Sequence, residues 1–437
     1  MPAVGRSVAA SSAAKAARAG AGRQPQPQPP AVTVAAILQQ YTEPFVQRYH
    51  HRLSCHVEST LLRLGFCRTA PMKGRVYRCP SCDSKVPLYN SCADRHCPRC
   101  GGARREDWVD KTAQLPRPGT AYFQVVFTIP DRLSSLVLGN RRPLYRLLFR
   151  SAASALRRSI HEESGRQAAA TMVLHTWNQR LEHHPHVHAL VPGSGPSLDG
   201  ARWVPCRYTR ATRRKPARPF LVDNRALGRR FRDSYLRGVR RLFRAGVLKV
   251  DDVAKVNAIL REVRACDWVV YIQPPPNDTS DPADVLKYLA RYMTGGPISD
   301  RRLLEVKDER VHFLARASDK SGRQVPVSLP AIEFMRRWTL HILPKGFTKA
   351  RCYGGWGNRR REAYQQQCAR LQPVPPSTPA NHAEALPPVL ESPVDQVPKC
   401  PRCGAAMDLE SDTRRPSWQE LFYSPDHPRW MEWRGSG

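Results

Sequence analysis

The chain has 437 residues, and its 70 lysines and arginines outnumber its 37 aspartates and glutamates, which gives a formal net charge of +33. This length allows two or three domains, and no apolar run approaches the length of a membrane-spanning helix, which excludes a helical membrane protein. Nucleic acid is the polyanionic partner that the charge favours, although a compositional bias toward arginine would give the same balance.

The first 33 residues contain no acid and end in an alternating Gln-Pro tract. Such a composition can bury little, so residues 1–33 are predicted to be a disordered basic extension. A helix is predicted next, over residues 34–50, because Ile37, Leu38, Tyr41 and Phe45 fall on one side of a 3.6-residue period.

Residues 34–115 are predicted to form a zinc-binding domain that contacts DNA, since more than half of the 13 cysteines lie there. Two Cys-Pro-x-Cys pairs flank residues 83–96, and four thiolates at this spacing can close a tetrahedral structural zinc site. The four expected Zn²⁺ ligands are Cys79, Cys82, Cys97 and Cys100. Zinc in a reducing cytosol explains these cysteines better than disulfides do.

Other cysteines and two histidines of this domain allow a different ligand set. Cys92 and His96 could form a second zinc site or replace one of the four ligands. Upstream, Cys55, His56 and Cys67 could serve in the same way, although burial as apolar side chains explains Cys55 and Cys67 equally well. The domain is expected to grip DNA through basic residues. These are Arg75, Arg78, Lys85, Arg95, Arg99, Arg104 and Arg105.

A catalytic domain is predicted over residues 116–357, after a Pro- and Gly-containing linker. In its strand at 186–191, His186 and His188 share one face because strand side chains alternate, while Val187 and Ala189 face a core. Two adjacent imidazoles on a strand can hold a metal, although such a pair is often only a polar strand edge. Further strands are predicted at 121–129 and 172–177, and helical segments over 143–163.

The helix predicted over residues 226–244 has an apolar side at helical spacing and an arginine-rich side. A solvated face is the usual explanation of such a charged stripe, but the near absence of acids favours phosphate contact. The residues expected to bind DNA here are Arg229, Arg230, Arg237 and Arg241.

Further along, a strand is predicted at 267–273, a short helix at 284–294, a hairpin from 311–316 and 324–329, and a helix at 332–343. From residue 358 to 437 the chain is Pro-rich, and we interpret it as a loose tail. Within this tail Cys400 and Cys403 form a lone Cys-x-x-Cys pair with no evident partner.

In the helix at 284–294, Tyr288 and Tyr292 are four residues apart and therefore share a face, with Lys287 and Arg291 beside them. Such a pair is frequent in ordinary half-buried helices. Together with a metal held by histidines it indicates a reaction: a phenol attacks a polarised DNA phosphate, a 5′-phosphotyrosine forms and a 3′-hydroxyl leaves. Lys287 and Arg291 would orient the phosphate.

These motifs, in this order, resemble the IS-ninety-one-like family of HUH rolling-circle transposases with two tyrosines, from about residue 36 to residue 357. The resemblance is carried by Tyr77-Arg78-Cys79, Arg95-His96-Cys97-Pro98-Arg99-Cys100, Phe123-Gln124-Val125-Val126-Phe127, Leu174-His175-Thr176-Trp177, His184-Pro185-His186-Val187-His188, Tyr288-Leu289-Ala290-Arg291-Tyr292 and Leu340-His341-Ile342-Leu343-Pro344-Lys345-Gly346-Phe347.

The resemblance implies an α+β fold, in which a ferredoxin-like antiparallel sheet with helices forms an HUH endonuclease behind an N-terminal zinc-binding domain. It implies that His186 and His188 bind a catalytic Mg²⁺ or Mn²⁺ and that Tyr288 and Tyr292 are the nucleophiles. His175 is our candidate for the third metal ligand, although it could equally be a core histidine.

The implied function is rolling-circle transposition of single-stranded DNA ends in the cytoplasm of a bacterium, at the nucleoid and without a membrane partner. Two alternatives stay open: a non-catalytic zinc-finger DNA-binding protein derived from such an enzyme, and a rolling-circle replication initiator nuclease.

Overall fold

A computed structural model describes residues 32–101, 112, 114–213, 216–275, 296–317, 322–372 and 397–422. Helices and antiparallel sheets are mixed along the chain. The helices of five or more residues are α1 Val34–Tyr49, α2 Cys55–Phe66, α3 Ser134–Gly139, α4 Arg141–Ser164, α5 Asn224–Arg244, α6 Val253–Ala265, α7 Ala331–Thr339, α8 Arg361–Leu371 and α9 Trp418–Phe422. Within the described ranges, no helix is both long and apolar enough to cross a membrane.

Among the described residues the strands form five sheets, and two of these sheets are pairs of two-residue strands. The strands are β1 Gly74–Arg78, β2 Lys85–Tyr89, β3 Tyr122–Thr128, β4 Ala169–Trp177, β5 His183–Pro192, β6 Gly195–Pro196, β7 Trp203–Val204, β8 Arg207–Tyr208, β9 Pro219–Phe220, β10 Val270–Gln273, β11 Leu303–Lys307, β12 Arg310–Arg316, β13 Gln324–Pro330, β14 Ala350–Gly354 and β15 Asp408–Asp412.

The largest sheet has five strands in the order β10-β3-β5-β4-β14, and every neighbouring pair is antiparallel. Alternate side chains of β5, including Val187 and Ala189, face a core shared with α4 and α5. These two helices cross where a Cβ on Gly238 would lie 2.2 Å from the side chain of Leu147. The small residue therefore lets α5 approach α4 closely, and both helices cover one face of the sheet.

The opposite face of this sheet carries the alternate set of β5 side chains. Leu190 lies there in a small apolar cluster with Val173, Trp356 and Tyr364. Since α8 supplies Tyr364, this helix closes one end of the face. His188 and His186 follow along β5 beyond that end, as the alternation predicts.

A second core lies outside the five-stranded sheet and is built from distant parts of the chain. Helices α1 and α2 pack against α7 and the sheet β11-β12-β13, burying side chains such as Phe45, Leu61, Phe313 and Phe334. Residues from the zinc-binding region and from beyond residue 298 thus share one hydrophobic core. The predicted domain boundaries at residues 115 and 357 therefore do not coincide with the division between the two hydrophobic cores.

The third sheet joins the hairpin β1–β2 to β15, with β1 in the middle. Residues 397–422 therefore pack on the N-terminal region, and α8 packs on the large sheet. The interpretation of residues 358–437 as a loose tail is wrong for these two segments. The reason is that β15 pairs with β1 and α8 packs on the large sheet, and the Pro-rich composition of this part of the chain does not indicate either contact.

Several predicted elements are confirmed, and others were missed. The helix at 34–50, the strands at 121–129 and 172–177, the helix at 226–244 and the hairpin after residue 311 match described elements to within a few residues. The sequence did not predict α2, α6 or the hairpin β1–β2. The extension at 1–33 lies outside the described residues except for residues 32 and 33.

Candidate functional site

Three histidines meet on the face of the large sheet that the two long helices leave uncovered. His175 of β4 pairs directly with His186 of β5. His188 lies two residues further along β5 and therefore on the same face of the sheet. One donor nitrogen from each ring lies within 4.8 Å of the other two. His175 is 5% exposed, while His186 and His188 are partly buried.

Hydrogen bonding fixes the orientation of the His186 ring. Its Nδ1 lies 2.7 Å from the carbonyl oxygen of His184, so Nδ1–H donates and Nε2 keeps its lone pair. Burial and the neighbouring His188 lower the pKa of His186 to about 3. Burial likewise lowers the pKa of His188 to about 4, with Lys349 contributing. Both imidazoles are therefore neutral at pH 7, which is the state that binds a metal.

Gln124 of β3 supplies a partner for His188. Its side-chain amide lies 3.0 Å from Nδ1 of His188, and its Oε1 is buried with no hydrogen bond among the described residues. Rotation of the Gln124 amide would exchange its two ends and let Oε1 accept a hydrogen bond from Nδ1–H of His188. Nε2 of His188 would then keep its lone pair available to a metal.

The donor set fits a divalent ion. Ligand nitrogens of one ion lie about 2.0–2.1 Å from a zinc-sized metal, so three rings with donors this close can share it after small side-chain adjustments. Imidazole suits transition metals, whereas Mg²⁺ prefers oxygen ligands. Of the two expected ions, Mn²⁺ therefore fits this site better.

The predicted nucleophiles Tyr288 and Tyr292, with Lys287 and Arg291, lie outside the described residues. Described residues before and after these positions contact the large sheet and one of its connecting turns. Before them, Gln273 of β10 pairs with Gln124. After them, Arg302 donates to the carbonyl oxygen of Gln179, in the turn that connects β4 to β5.

The arginines expected to bind DNA lie on α5, but their surroundings differ. Arg229, Arg237 and Arg241 are exposed. Arg230 is partly buried and donates to Ser159 (3.0 Å) and to the Glu162 carboxylate. Arg237 and Arg241 line an open cavity of about 600 Å³ together with Arg240 and Arg244.

The structure separates the two cysteine pairs that were expected to share one zinc. Cys97 and Cys100 cluster with Cys67 and Cys92, whereas Cys79 and Cys82 cluster with Cys400 and Cys403. The expected grouping of Cys79, Cys82, Cys97 and Cys100 is therefore wrong. The interpretation of Cys400 and Cys403 as a lone pair is wrong as well. The reason is that β15 brings the distal pair to β1, while Cys67, at the end of α2, reaches the other pair.

His96 is not part of either cluster, although Cys92 is. Its Nδ1 lies 2.9 Å from Oδ1 of Asp94, and its Nε2 accepts the backbone N–H of Leu343 at 3.1 Å. Both ring nitrogens are occupied, so His96 is excluded as a zinc ligand in this arrangement. Asp94 also contacts Arg63 at 3.2 Å.

Most of the basic residues that were expected to bind DNA in the N-terminal region are paired with other groups of the same chain. Arg75 and Lys85 pair with acids of β15, and Arg78 pairs with Asp83. Arg95 donates to the backbone carbonyl oxygens of Pro344 (3.1 Å) and Phe347. Arg99 donates to the backbone carbonyl oxygen of Cys67 and to the side-chain oxygen Oε1 of Gln39. Arg104 and Arg105 lie outside the described residues.

Sequence reasoning missed Gln124 as a site residue and the pairing of the distal cysteines, and it left Cys67 open between a zinc ligand and a buried apolar side chain. The alternation of β3 could have identified Gln124, since it places this polar side chain on the face opposite Phe123 and Val125. The distal pair repeats the Cys-Pro-x-Cys pattern of Cys79 to Cys82, which was the available signal for a shared site.

Comparison with known proteins agrees with this arrangement. A family model described as "Transposase zinc-binding domain" matches residues 37–129, and one described as "Putative transposase" matches residues 169–363. The first range contains the cluster of Cys67, Cys92, Cys97 and Cys100. The second contains the three histidines.

Two curated relatives are transposases by name. "Putative transposase y4qJ" of Sinorhizobium fredii is 36% identical over 348 residues, which cover 77% of this chain and 83% of the relative. The transposase for insertion sequence element IS801 of Pseudomonas savastanoi pv. phaseolicola is 28% identical over 303 residues, covering 69% and 70%. A solved structure of the conjugative relaxase TrwC with oriT DNA is matched over 40% of this chain and 71% of that one, at 12% identity and a TM-score of 0.16. With two transposase family models and a relative matched over most of both sequences, the chain belongs to the IS91-type family of transposases.

Proposed function

We propose that this transposase nicks single-stranded transposon ends and transfers them through 5′-phosphotyrosine intermediates at a metal-dependent HUH site. The observation that carries the proposal is the cluster of His175, His186 and His188 on two adjacent central strands. Such strands are rigid, and the carbonyl of His184 holds the His186 ring with Nε2 available.

The three histidines would hold the catalytic ion, with Gln124 orienting His188. A divalent ion bound there would polarise the scissile phosphate and offset the charge that develops on it. The neutral state of His186 and His188 keeps their nitrogens available at pH 7. The cluster of Cys67, Cys92, Cys97 and Cys100 would hold Zn²⁺ in a structural role, because four thiolates leave no open coordination position.

Tyr288 and Tyr292 are the proposed nucleophiles. A phenol oxygen attacks the phosphorus, the bond from phosphorus to the 3′ oxygen breaks, and the phenol proton is given up to solvent while the leaving 3′ oxygen is protonated. The energy of the broken phosphodiester bond is kept in the phosphotyrosine bond, so rejoining the DNA strand needs no nucleotide cofactor such as ATP. A second tyrosine allows a second cleavage while the first link persists, which suits strand transfer.

The support for this assignment is the sequence motif Tyr288-Leu289-Ala290-Arg291-Tyr292 and its position after the histidine-bearing strand. Arg237 and Arg241 would contact DNA phosphates, as would Arg229, Lys287 and Arg291. We propose a cytoplasmic, nucleoid-associated location, where such DNA would be found.

The proposal is tested with a labelled single strand carrying a transposon end, Mn²⁺ and denaturing gels. The native protein should give a nick and a protein-linked strand. A double variant, Tyr288→Phe with Tyr292→Phe, should bind the strand but form no link, and His186→Ala should lose the metal-dependent nick.

Tyr271 provides a matched control. It is 56% exposed and lies on β10 opposite Val126, on the same face as the histidines. Tyr271→Phe should leave the covalent link unchanged. A link that persists in the Tyr288 and Tyr292 double variant would refute the assignment. Binding without any nick by the native protein would favour a non-catalytic DNA-binding protein.

A further inference from the structure

We propose that Cys79, Cys82, Cys400 and Cys403 form a second structural zinc site, which fastens the distal segment (residues 397–422) to the N-terminal hairpin. The family model for zinc binding ends at residue 129 and so contains only half of these ligands. The proposal does not depend on the reaction proposed above.

The four sulfur atoms already have the spacing of a tetrahedral metal site. Sγ of Cys79 lies 3.4 Å from that of Cys403, and Sγ of Cys82 lies 3.6 Å from that of Cys400. Zinc–sulfur bonds of about 2.3 Å in a tetrahedron place sulfur atoms about 3.8 Å apart. The observed distances are too long for a disulfide, whose sulfurs are about 2.05 Å apart.

The two cysteine loops have matching backbones. The N–H of Cys79 donates to Ser84 and that of Asp83 donates back to Cys79. In the distal loop the N–H of Cys400 donates to Ala405 and that of Gly404 donates back to Cys400. The residue after each pair is left-handed, with φ of 58° at Asp83 and 77° at Gly404.

This repetition has a chemical consequence. Two equivalent loops face each other, and each presents two sulfurs to the space between them. Four thiolates are a ligand set for zinc, which forms closed structural sites with such donors. Without a metal, the two loops would hold four sulfur atoms close together without any bond that joins them.

The remaining contacts of the distal segment with the hairpin are weak by comparison. The ion pairs Arg75–Asp412 and Lys85–Glu410 are solvent-exposed, and such pairs contribute little. The apolar cluster beside the cysteines is small and includes Tyr77 and Met407. A hairpin of two short strands is itself only marginally stable, so a metal is the main candidate for holding β15 in place.

The fastened segment continues into the second core. Thr413 accepts from the side chain of Asn90 at 3.1 Å, and Arg415 donates to the carbonyl oxygen of Ser91. Leu421 is buried with α1 and α2, and the Trp418 ring lies 5.4 Å from the Arg63 guanidinium carbon. Zinc would therefore stabilise the packing of residues 397–422 against the whole N-terminal region.

The test uses the native, zinc-loaded protein and cysteine alkylation read by mass spectrometry. Cys403 and Cys266 are both exposed and Cys55 is exposed as well, so without a metal all three should react readily. With zinc bound, Cys79, Cys82, Cys400 and Cys403 should react more than about tenfold slower than Cys266, because a metal-held thiolate is a poor nucleophile. A chelator should release all four together.

Two results would overturn the proposal. One is Cys403 reacting as fast as Cys266 in the zinc-loaded protein. The other is Cys79 and Cys82 staying protected after Cys400 and Cys403 have been modified. Because every cysteine is scored separately, the cluster of Cys67, Cys92, Cys97 and Cys100 does not obscure the result.

A second measurement counts the metal. The variant Cys400→Ser with Cys403→Ser should contain one zinc fewer per chain than Cys55→Ser with Cys266→Ser, which removes two exposed cysteines outside both clusters. After Co²⁺ substitution, the thiolate-to-cobalt absorption should fall to about half of that of the control. Equal zinc contents in the two variants would refute the site.

Discussion

The hydrogen-bond partners of each buried histidine decide whether it can bind a metal. His186 donates from Nδ1 to a carbonyl and keeps Nε2 available. His341 uses both nitrogens, since Nδ1 lies 3.1 Å from the Thr176 hydroxyl and Nε2 lies 3.1 Å from the carbonyl oxygen of Leu181. His341 therefore has a structural role, although it belongs to the same motif set and is buried, with 4% of its surface exposed.

Gln124 is the residue whose loss should weaken the metal centre without removing a ligand. In Gln124→Leu, Nδ1 of His188 loses its partner, and outer-sphere partners of this kind are worth about 10- to 100-fold in metal affinity. Gln124→Glu keeps an acceptor oxygen and should retain or strengthen binding. Mn²⁺ titration followed by electron paramagnetic resonance measures both, and equal affinities for the native protein and Gln124→Leu would contradict the role.

His341 should make stability depend on pH. Burial lowers the pKa of folded His341 to about 3, whereas unfolded histidine titrates near about 6.5. The unfolded chain therefore binds more protons between these values, and stability present above pH ~6.5 is lost as the pH falls toward 3. The loss approaches about 1.4 kcal/mol per pH unit from this group.

The measurement is urea unfolding of native protein and His341→Gln at several pH values from 8 to 5. The variant should be less stable at pH 8, because Gln fills the site imperfectly, but its stability should fall less steeply with acid. Parallel curves for the two proteins would show that His341 does not contribute to the acid sensitivity.

At the scale of elements, helix α5 combines a structural and a binding face. Its buried side includes Phe231, Tyr235 and Val239, which pack in the main core. Its N-terminus is capped by Asp223, whose carboxylate accepts the N–H of Ala226 at 2.6 Å. The arginines near its C-terminal end stay at the surface, so positive charge collects there, while Asp233, the one acid between Asn224 and Arg244, pairs with Arg232.

Arg237 and Arg241 should contribute to DNA affinity through phosphate contacts. The double substitution to alanine should weaken binding about equally for all sequences and reduce the salt slope by about 0.7 for each lost contact on a single strand. Fluorescence anisotropy over a range of salt concentrations measures this slope. The control replaces two exposed arginines elsewhere, Arg301 and Arg359, and an equal slope for both double variants would argue against the assignment.

Periodicity predicted those elements whose burial follows one face. The helix with Phe231 and Tyr235 and the strand with His186 and His188 are of this kind, and both were placed to within a few residues. Strands β1, β2 and β15 have mostly exposed or half-buried side chains, so no apolar alternation marks them. They form because the cysteine loops meet and the strands pair across the sheet, which a local pattern does not show.

At the scale of the whole molecule, the loop at residues 342–347 joins the two cores. Leu343 and Phe347 are buried in the core of the large sheet, while Ile342 is buried in the other. From the N-terminal side, His56 bonds the carbonyl oxygen of Leu343 at 3.0 Å and Arg95 reaches that of Pro344. These hydrogen bonds therefore connect the region of the Cys67, Cys92, Cys97 and Cys100 cluster to the domain that carries the three histidines.

His96 tests this connection. His96→Ala leaves the N–H of Leu343 without its acceptor and removes the imidazole contact of Asp94, which should lower the free energy of unfolding by about 1–3 kcal/mol. Zinc content should stay unchanged, because His96 is not a ligand. Thermal unfolding and metal analysis measure both quantities, with exposed His51→Ala as the control. Loss of one zinc per chain in His96→Ala would show instead that this histidine binds metal.

The sequence by itself determined which residues have the chemistry: paired cysteines, alternating histidines on a strand and an arginine stripe on a helix. These follow from local periods of two and 3.6 residues and from short spacings. Tertiary structure alone decided which cysteine pairs share a cluster and that His175 lies opposite His186. Such choices depend on strand register and on contacts between residues hundreds of positions apart, and local periodicity contains no information about either.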